Sequence, residues 1–153
     1  MKNYWLILFC GSILFTSCDF RRKGKIADDM DAANEKAMQQ AMKDTTAVVV
    51  TDSIFNFGTI KQGALVEHNF VFKNTGNKPL VFPENPRASC GCTVPTKPEK
   101  PVFPGDTAFI KVVFNSFGKA GHNEKRITVL SNAYPAFPVL VLTGQVEAST
   151  VTY

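Results

Sequence analysis

The spacing of apolar residues along the chain changes from a helical to an alternating period near residue 50. Between Lys25 and Asp44 a thin, mostly alanine stripe recurs at intervals of three or four residues, which predicts a polar helix. Its apolar members are Met30, Ala33, Ala37 and Ala41, flanked by Met38 and Met42. A stripe this thin favours a solvated spacer, with a short coiled coil or a partner helix as the alternative.

From residue 53 onward, apolar and polar residues alternate in short runs that turn residues separate. The clearest run is Leu65–Lys73, where Val66, His68, Phe70 and Phe72 share one face. Further strands are predicted at 54–57, 79–82, 107–114, 125–130 and 137–146, with a proline-rich loop over 83–104. About seven short strands with regular turns, in roughly 100 residues, predict an all-β fold, an antiparallel β-sandwich.

The turn after the clearest strand spans Asn74–Asn77, and its Gly and Asn residues suggest backbone with positive φ. The sandwich is predicted to occupy residues 51–148, followed by a tail at 149–153. The one tryptophan, Trp5, lies outside this region, so the Cys…Trp…Cys pattern of antibody domains is missing.

The N-terminus has the organisation of an export signal. Lys2 precedes an apolar run from Tyr4 to Phe15, which is shorter than the roughly 20 residues that a membrane-spanning helix needs. Small residues then lead to Cys18, and the segment resembles the bacterial lipobox, in which such a cysteine is acylated. This resemblance implies a signal peptide at 1–17 and lipidation, palmitate included, at Cys18. A secretory signal cut elsewhere and an uncleaved anchor are the alternatives.

A lipidated Cys18 places the protein in the cell envelope, with residues 18–50 as lipidated terminus and linker. The membrane is then a partner through the lipid. The residues after the cysteine, Asp19-Phe20-Arg21, do not resemble the acidic tag of many surface lipoproteins, which favours the periplasmic side.

Charge and motifs narrow the function classes. A net charge of +4, without a basic stripe interleaved with aromatics, argues against a nucleic-acid partner. The sequence contains no Gly-rich phosphate loop, no Gly-x-Ser-x-Gly elbow and no His-Glu-x-x-His. We therefore predict no catalytic residue, no cofactor and no small-molecule substrate. The predicted function is binding or scaffolding of an envelope protein or polymer, by a sheet face or by strand addition at an edge.

Aromatic residues supply both a core and candidate contacts. Thirteen phenylalanines are enough for a substantial core, so most of them must be buried. Candidates for an exposed contact are Phe103, Phe109, Phe117, Tyr134 and Phe137.

Five segments of the chain, in order, carry a family resemblance. They are Phe55–Gly63, Phe70–Gly76, Ala88–Pro95, Pro104–Asp106 and Thr128–Asn132. Together they resemble DUF1573 domains, which are similar to the immunoglobulin-like domains of the major-sperm-protein and ASPM-SPD2-Hydin type. The resemblance implies an immunoglobulin-like β-sandwich and no assigned activity, since a fold alone does not establish a function.

Cys90-Gly91-Cys92 is the one concentrated piece of chemistry in the sequence. Cys10 leaves with the signal peptide and Cys18 carries lipid, so Cys90 and Cys92 are the thiols that remain. An oxidising compartment favours a disulfide between them, for which Gly91 supplies backbone freedom. A structural bridge and a redox-active pair both stay open, and Arg87 or Lys97 would stabilise a thiolate in the second case.

Metal binding is the third interpretation of the cysteine pair. Soft Cu(I) tolerates two thiolates, and the available additional ligands are His68 and His122. A histidine at the edge of the core is the plainer interpretation of His68, and a surface residue at a turn is that of His122. We therefore predict no metal site, with Cys90, Cys92, His68 and His122 as the alternative ligand set.

Overall fold

The structure is a computed structural model that describes residues 34–148. The chain divides into two compact units, 1–35 and 36–153, and the fold below is that of the second. The signal peptide, Cys18 and the predicted tail at 149–153 lie outside the described residues. Within residues 34–148, no helix is long and apolar enough to cross a membrane.

Eight strands within the described residues form two sheets of four strands each. One sheet consists of β1 (Val48–Val50), β3 (Leu65–Asn74), β6 (Thr107–Asn115) and β5 (Thr93–Thr96), in that spatial order. The other consists of β2 (Ile54–Lys61), β8 (Leu140–Glu147), β7 (Gly121–Thr128) and β4 (Arg87–Ala88). The β-sandwich prediction is confirmed, although β2 pairs with β8 in parallel rather than antiparallel.

The core lies between the inward faces of the two sheets. In β3 the alternation is as predicted, because Phe70 and Phe72 are buried and pair across the ladder with Ile110 and Ala108. The opposite sheet contributes Ile127, Leu140 and Leu142, and loops contribute Leu80, Phe82 and Phe137. Burial of these large apolar side chains contributes most of the free energy that stabilises the sandwich.

Several strand boundaries differ from the prediction. The strand predicted at 79–82 is a single bridge between Leu80 and Val102. The proline-rich segment 83–104 is not wholly a loop, since it contains β4 and β5. β5 lies at a sheet edge, where Pro95 is tolerated because an edge strand pairs on one side only. β7 begins earlier than predicted, at Gly121, and β8 later, at Leu140.

The Asn74–Asn77 turn has a different basis from the predicted one. Gly76 does not have a positive φ. A Cβ on Gly76 would instead collide with the side chain of Thr46 and the backbone nitrogen of Ala47. Glycine at position 76 therefore lets the chain before β1 pack directly against the turn.

The sandwich also includes residues that the sequence analysis assigned to the linker. The first strand begins at Val48, and Thr46 forms a bridge to Ala133. A helix that ends at residue 43 precedes this bridge. The side-chain amide of Asn132 donates hydrogen bonds to the carbonyls of Ala41, 3.0 Å away, and Asp44, 2.7 Å away. The end of the helix is thus attached to the domain, and a solvated spacer does not describe this part of it.

Candidate functional site

An open groove of about 410 Å³ lies on the outer face of the β1-β3-β6-β5 sheet, beside the cysteine pair. It is lined by Leu65, Gly91, Cys92, Val94, Val113, Asn115 and Phe117. Three of the apolar side chains are well exposed: 64% for Leu65, 60% for Val94 and 76% for Phe117. Exposed apolar side chains that gather around a concavity are typical of a contact surface.

The register of the sheet explains why these residues meet. Leu65 pairs with Asn115, and Val113 pairs with Val94 on the neighbouring edge strand. All four belong to the outward set of the alternation, so their side chains lie on one face. The sequence pattern contains this alternation, but the lateral order of the strands, which joins residues 65, 94 and 113, does not follow from it.

A charged pair lies next to the groove on the same sheet. The Lys111 ammonium and the Glu67 carboxylate are 2.9 Å apart. The opposite charges of Lys111 and Glu67 cancel, and none of the seven described lining residues is charged. The groove is therefore apolar and close to neutral.

Cys90 and Cys92 form a disulfide at one end of the groove, with their Cα atoms 5.3 Å apart. Gly91 between them is exposed, has no positive φ and leaves open space where a Cβ would lie. The backbone conformation at position 91 therefore does not require glycine, in contrast to the prediction that Gly91 supplies backbone freedom for the disulfide. The loop is fixed by the Asn115 N–H, which donates to the Cys92 carbonyl at 2.9 Å.

Thr93 is a buried residue whose hydroxyl lies near both sulfur atoms. Its side chain is 4% exposed, and its hydroxyl lies 3.6 Å from Cys90 Sγ and 3.9 Å from Cys92 Sγ. Sequence reasoning did not single out this residue. A Thr directly after a Cys-x-Cys pair at the start of a strand is the one signal that points to it.

The predicted aromatic contacts divide into two groups. Four are exposed: Phe103, Phe109, Phe117 and Tyr134. Phe137 is 7% exposed and packs edge to face against Phe72, so its assignment to an exposed contact was wrong. Of the exposed four, Phe117 lines the groove.

The structure does not assemble the alternative metal site. His68 stacks on Phe55, with ring centroids 3.8 Å apart, and meets Phe70 edge to face. Burial lowers the pKa of His68, and the nearby Asp52 carboxylate partly opposes this shift. His122 is exposed on β7. Among residues 34–148, no three His, Cys, Asp or Glu side chains are grouped to hold a metal, so the structure does not bring Cys90, Cys92, His68 and His122 together.

The cation closest in register to the cysteines is not one of those predicted. Arg87 is largely exposed and pairs with Glu84 at 2.8 Å, and Lys97 lies beside a separate small cavity. Ser89 and Arg126 of β7 are joined by two hydrogen bonds. If this register continues for one more residue, Cys90 lies opposite Lys125.

The Lys125 side chain lies over the edge of the core. Its Nζ is 5.5 Å from the centroid of the Phe114 ring, and Phe114 pairs in register with Thr93. Burial lowers the pKa of Lys125, and the neighbouring Lys119 lowers it further. A lysine at an inward position of an alternating strand is the sequence signal that identifies this residue.

The two packed sheets form an immunoglobulin-like β-sandwich, and an uncharged groove lies on the outer face of one of them. The chain belongs to the DUF1573 family, described as a protein of unknown function, whose model matches residues 48–146. No curated protein matches the chain in sequence.

The chain is similar to several solved structures, one of which shares the fold with a TM-score above 0.5. A protein of unknown function from Porphyromonas gingivalis W83 superposes with a TM-score of 0.56 at 11% identity, covering 66% of this chain. The matched part is 47% of that protein, so this chain spans about half of its length. PapD-like domain 7 of human CEP192 superposes with a TM-score of 0.47 at 14% identity, covering 69% of this chain and 88% of that one. The VesB protease of Vibrio cholerae gives 0.49 at 10% identity, covering 73% of this chain and 34% of that one.

Proposed function

We propose that this protein is a non-enzymatic binding module of the cell envelope, anchored through a lipid on Cys18. Its groove would hold an extended, uncharged segment of a partner protein. The observation that carries this proposal is the groove itself, where Leu65, Val94 and Phe117 expose apolar surface around one concavity. Covering these side chains removes apolar area from water, which favours association.

The sheet edges support docking on the face rather than strand addition. Among the described strands, the edges β1, β5 and β4 have three, four and two residues, and β5 contains Pro95. The long edge strand β2 carries a register irregularity between Asn56 and Thr59, where Gly58 has a φ of 70°. Short strands, proline and bulges are features that protect an edge from pairing with another chain.

The chemistry of the lining favours a polypeptide over a polysaccharide. Asn115 is the one lining residue with a polar side chain among the seven described. A glycan surface carries many hydroxyl groups, which would lose hydrogen bonds to water without partners in this groove. An extended peptide with aliphatic side chains places apolar groups against Leu65 and Val94 at little such cost.

Replacing Leu65 by serine should weaken binding of an extended peptide about tenfold, since burial of a leucine side chain contributes about 1.5–3 kcal/mol. A fluorescein-labelled peptide of alternating leucine and threonine residues serves as the probe, with fluorescence anisotropy as the measurement. The matched control is Leu130→Ser, because Leu130 is 49% exposed and lies outside the groove.

We expect Leu130→Ser to bind the probe as the wild-type chain does. Equal weakening by the two substitutions would locate binding elsewhere on the surface. A wild-type chain that does not bind the uncharged probe, but binds a charged variant of it, would contradict the proposed partner chemistry.

The lipid anchor has its own test in growing cells. Radiolabelled palmitate should be incorporated into the wild-type protein and not into a Cys18→Ser variant. Globomycin, which blocks the lipoprotein signal peptidase, should cause a larger precursor to accumulate. Cys10→Ser is the control and should keep the label. An unshifted band together with unlabelled wild-type protein would show that the export signal is of another type.

A further inference from the structure

We propose that the Cys90–Cys92 disulfide is a thiol–disulfide exchange site, and that it acts on a cysteine of the polypeptide segment held in the groove. Cys92 Sγ is the sulfur that the incoming thiolate attacks, and Cys90 is the leaving thiolate. This inference rests on the proposed docking function and adds to it a substrate class, polypeptides with free thiols. The exchange is a single stoichiometric reaction of the binding module, not catalytic turnover.

A structural role does not account for this disulfide. The two cysteines are separated by two positions in the sequence. A cross-link stabilises a protein mainly by restricting the unfolded chain, and this effect is smallest for the shortest loops. The sandwich already has a core of buried phenylalanines and aliphatic residues that both sheets share. The bridge therefore contributes little to folding.

One of the two cysteines lines the groove. Both cysteines are half-buried, but of the two Cys92 belongs to the lining and Cys90 does not. Cys92 also packs against the buried cluster of Phe114, Leu142 and Val146, which fixes its position. A segment bound along Leu65 and Val94 approaches Cys92 from the groove. Attack on a disulfide expels the partner sulfur, which here is Cys90.

The surroundings of Cys90 suit a leaving thiolate. The buried Thr93 hydroxyl, 3.6 Å from Cys90 Sγ, is in position to donate a hydrogen bond to it. A hydrogen bond to an ionised acceptor is roughly twice as strong as a neutral one, so this contact strengthens when the disulfide opens. Continuing the Ser89–Arg126 register places Lys125 opposite Cys90 on the neighbouring strand, with its ammonium 5.5 Å from the centroid of the Phe114 ring. Cations near a cysteine stabilise its thiolate form.

The exchange balances without a further reagent. The partner's thiolate forms a bond to Cys92 Sγ, the Cys90–Cys92 bond breaks, and Cys90 leaves as a thiolate. A second thiol of the partner then attacks its own sulfur in the mixed disulfide, and Cys92 leaves. The partner is oxidised by two electrons to a disulfide, and the pair is reduced to two thiols, with the partner's two protons passing to the cysteines or to water.

Mixed-disulfide mapping tests the order of attack. The purified full-length chain is incubated with the alternating leucine and threonine peptide carrying one cysteine, then quenched with N-ethylmaleimide. Fragmentation mass spectrometry should find the peptide on Cys92 and the maleimide on Cys90. The reverse assignment, an even mixture, or an intact disulfide would overturn the proposal.

The Thr93→Val substitution tests the leaving-group contact, because valine keeps the shape and removes the hydroxyl. We expect mixed-disulfide formation to slow about tenfold, as for loss of one hydrogen bond to a charged group. Thr96→Val, at an exposed position of the same strand, should leave the rate unchanged. Circular dichroism of both variants checks that they are folded, and an unchanged rate in folded Thr93→Val would contradict the assignment.

The two proposals fail in different ways. If the cysteine-free peptide binds but the cysteine peptide forms no adduct, the groove is a binding site and the exchange reaction is excluded. If glutathione forms the adduct as fast as the apolar peptide does, the disulfide exchanges thiols without help from the groove, and the proposed docking role in this reaction is wrong.

Discussion

Replacing Asn74 by alanine should lower the free energy of unfolding by about 3–5 kcal/mol, because several hydrogen bonds lose their partner and each orphaned buried group costs roughly 1–3 kcal/mol. Asn74 is fully buried at the end of β3. Its amide nitrogen donates to the carbonyls of Lys78 and Val102, both at 2.8 Å. Its amide oxygen accepts from the Thr46 hydroxyl at 2.8 Å and from the Gly76 N–H at 3.1 Å.

Urea denaturation measures this change, and the same strand supplies the control. Asn69 is exposed on β3, so Asn69→Ala should change the stability by less than about 0.5 kcal/mol. Asn74→Asp has nearly the same shape but cannot donate to Lys78 and Val102, and it should be strongly destabilised as well. An Asn74→Ala variant within about 1 kcal/mol of wild type would show that water replaces the network.

Replacing Phe72 by alanine should cost about 3–5 kcal/mol, the range for removal of a buried phenylalanine from a core. Phe72 is fully buried and meets two other rings edge to face. Its ring centroid lies 5.7 Å from that of Phe82 and 5.3 Å from that of Phe137. These rings come from two irregular segments, so a cavity at Phe72 loosens both of them together with β3.

Thermal unfolding is the measurement, with an expected loss of about 10–20 °C in Tm for a domain of this size. Phe117→Ala is the matched control because Phe117 is 76% exposed, and its Tm should remain close to that of the wild-type chain. Phe72→Leu should fall between the two, since leucine refills part of the cavity. Equal losses for Phe72→Ala and Phe117→Ala would indicate that burial does not govern stability here.

Local patterns were sufficient to predict the sandwich and part of its core. The alternation in β3 identified Phe70 and Phe72 as inward residues, because a strand places successive side chains on opposite faces. The same reasoning found the strand that became β6. It failed over 79–104, because the many prolines there predicted a loop where two short edge strands, β4 and β5, are present. It also missed the parallel pairing of β2 with β8, because the paired residues are distant in the sequence.

The turn after β3 was predicted at the correct place, but its glycine is needed for a different reason from the predicted one. The sequence indicated a turn at Asn74–Asn77, and a turn is present. The reason for its glycine is not backbone conformation but the approach of Thr46 and Ala47, which are about thirty residues earlier. Asn74, in turn, serves as the centre of a hydrogen-bond network that spans Thr46 and Val102.

The sequence by itself determined the class of fold and the inward faces of the main strands, and it singled out Cys90 and Cys92 as candidates for chemistry. These properties follow from the period of the apolar residues and from the rarity of cysteine, and both are local. Only the tertiary structure decided that Cys92 borders an apolar groove and that Thr93 contacts both sulfurs. Among residues 34–148 it also groups no three metal-binding side chains, so His68 and His122 do not form a ligand set with the cysteine pair. The physical reason is that strand order and register bring residues together that are distant in the sequence. The pattern of residues along the chain does not specify strand order or register.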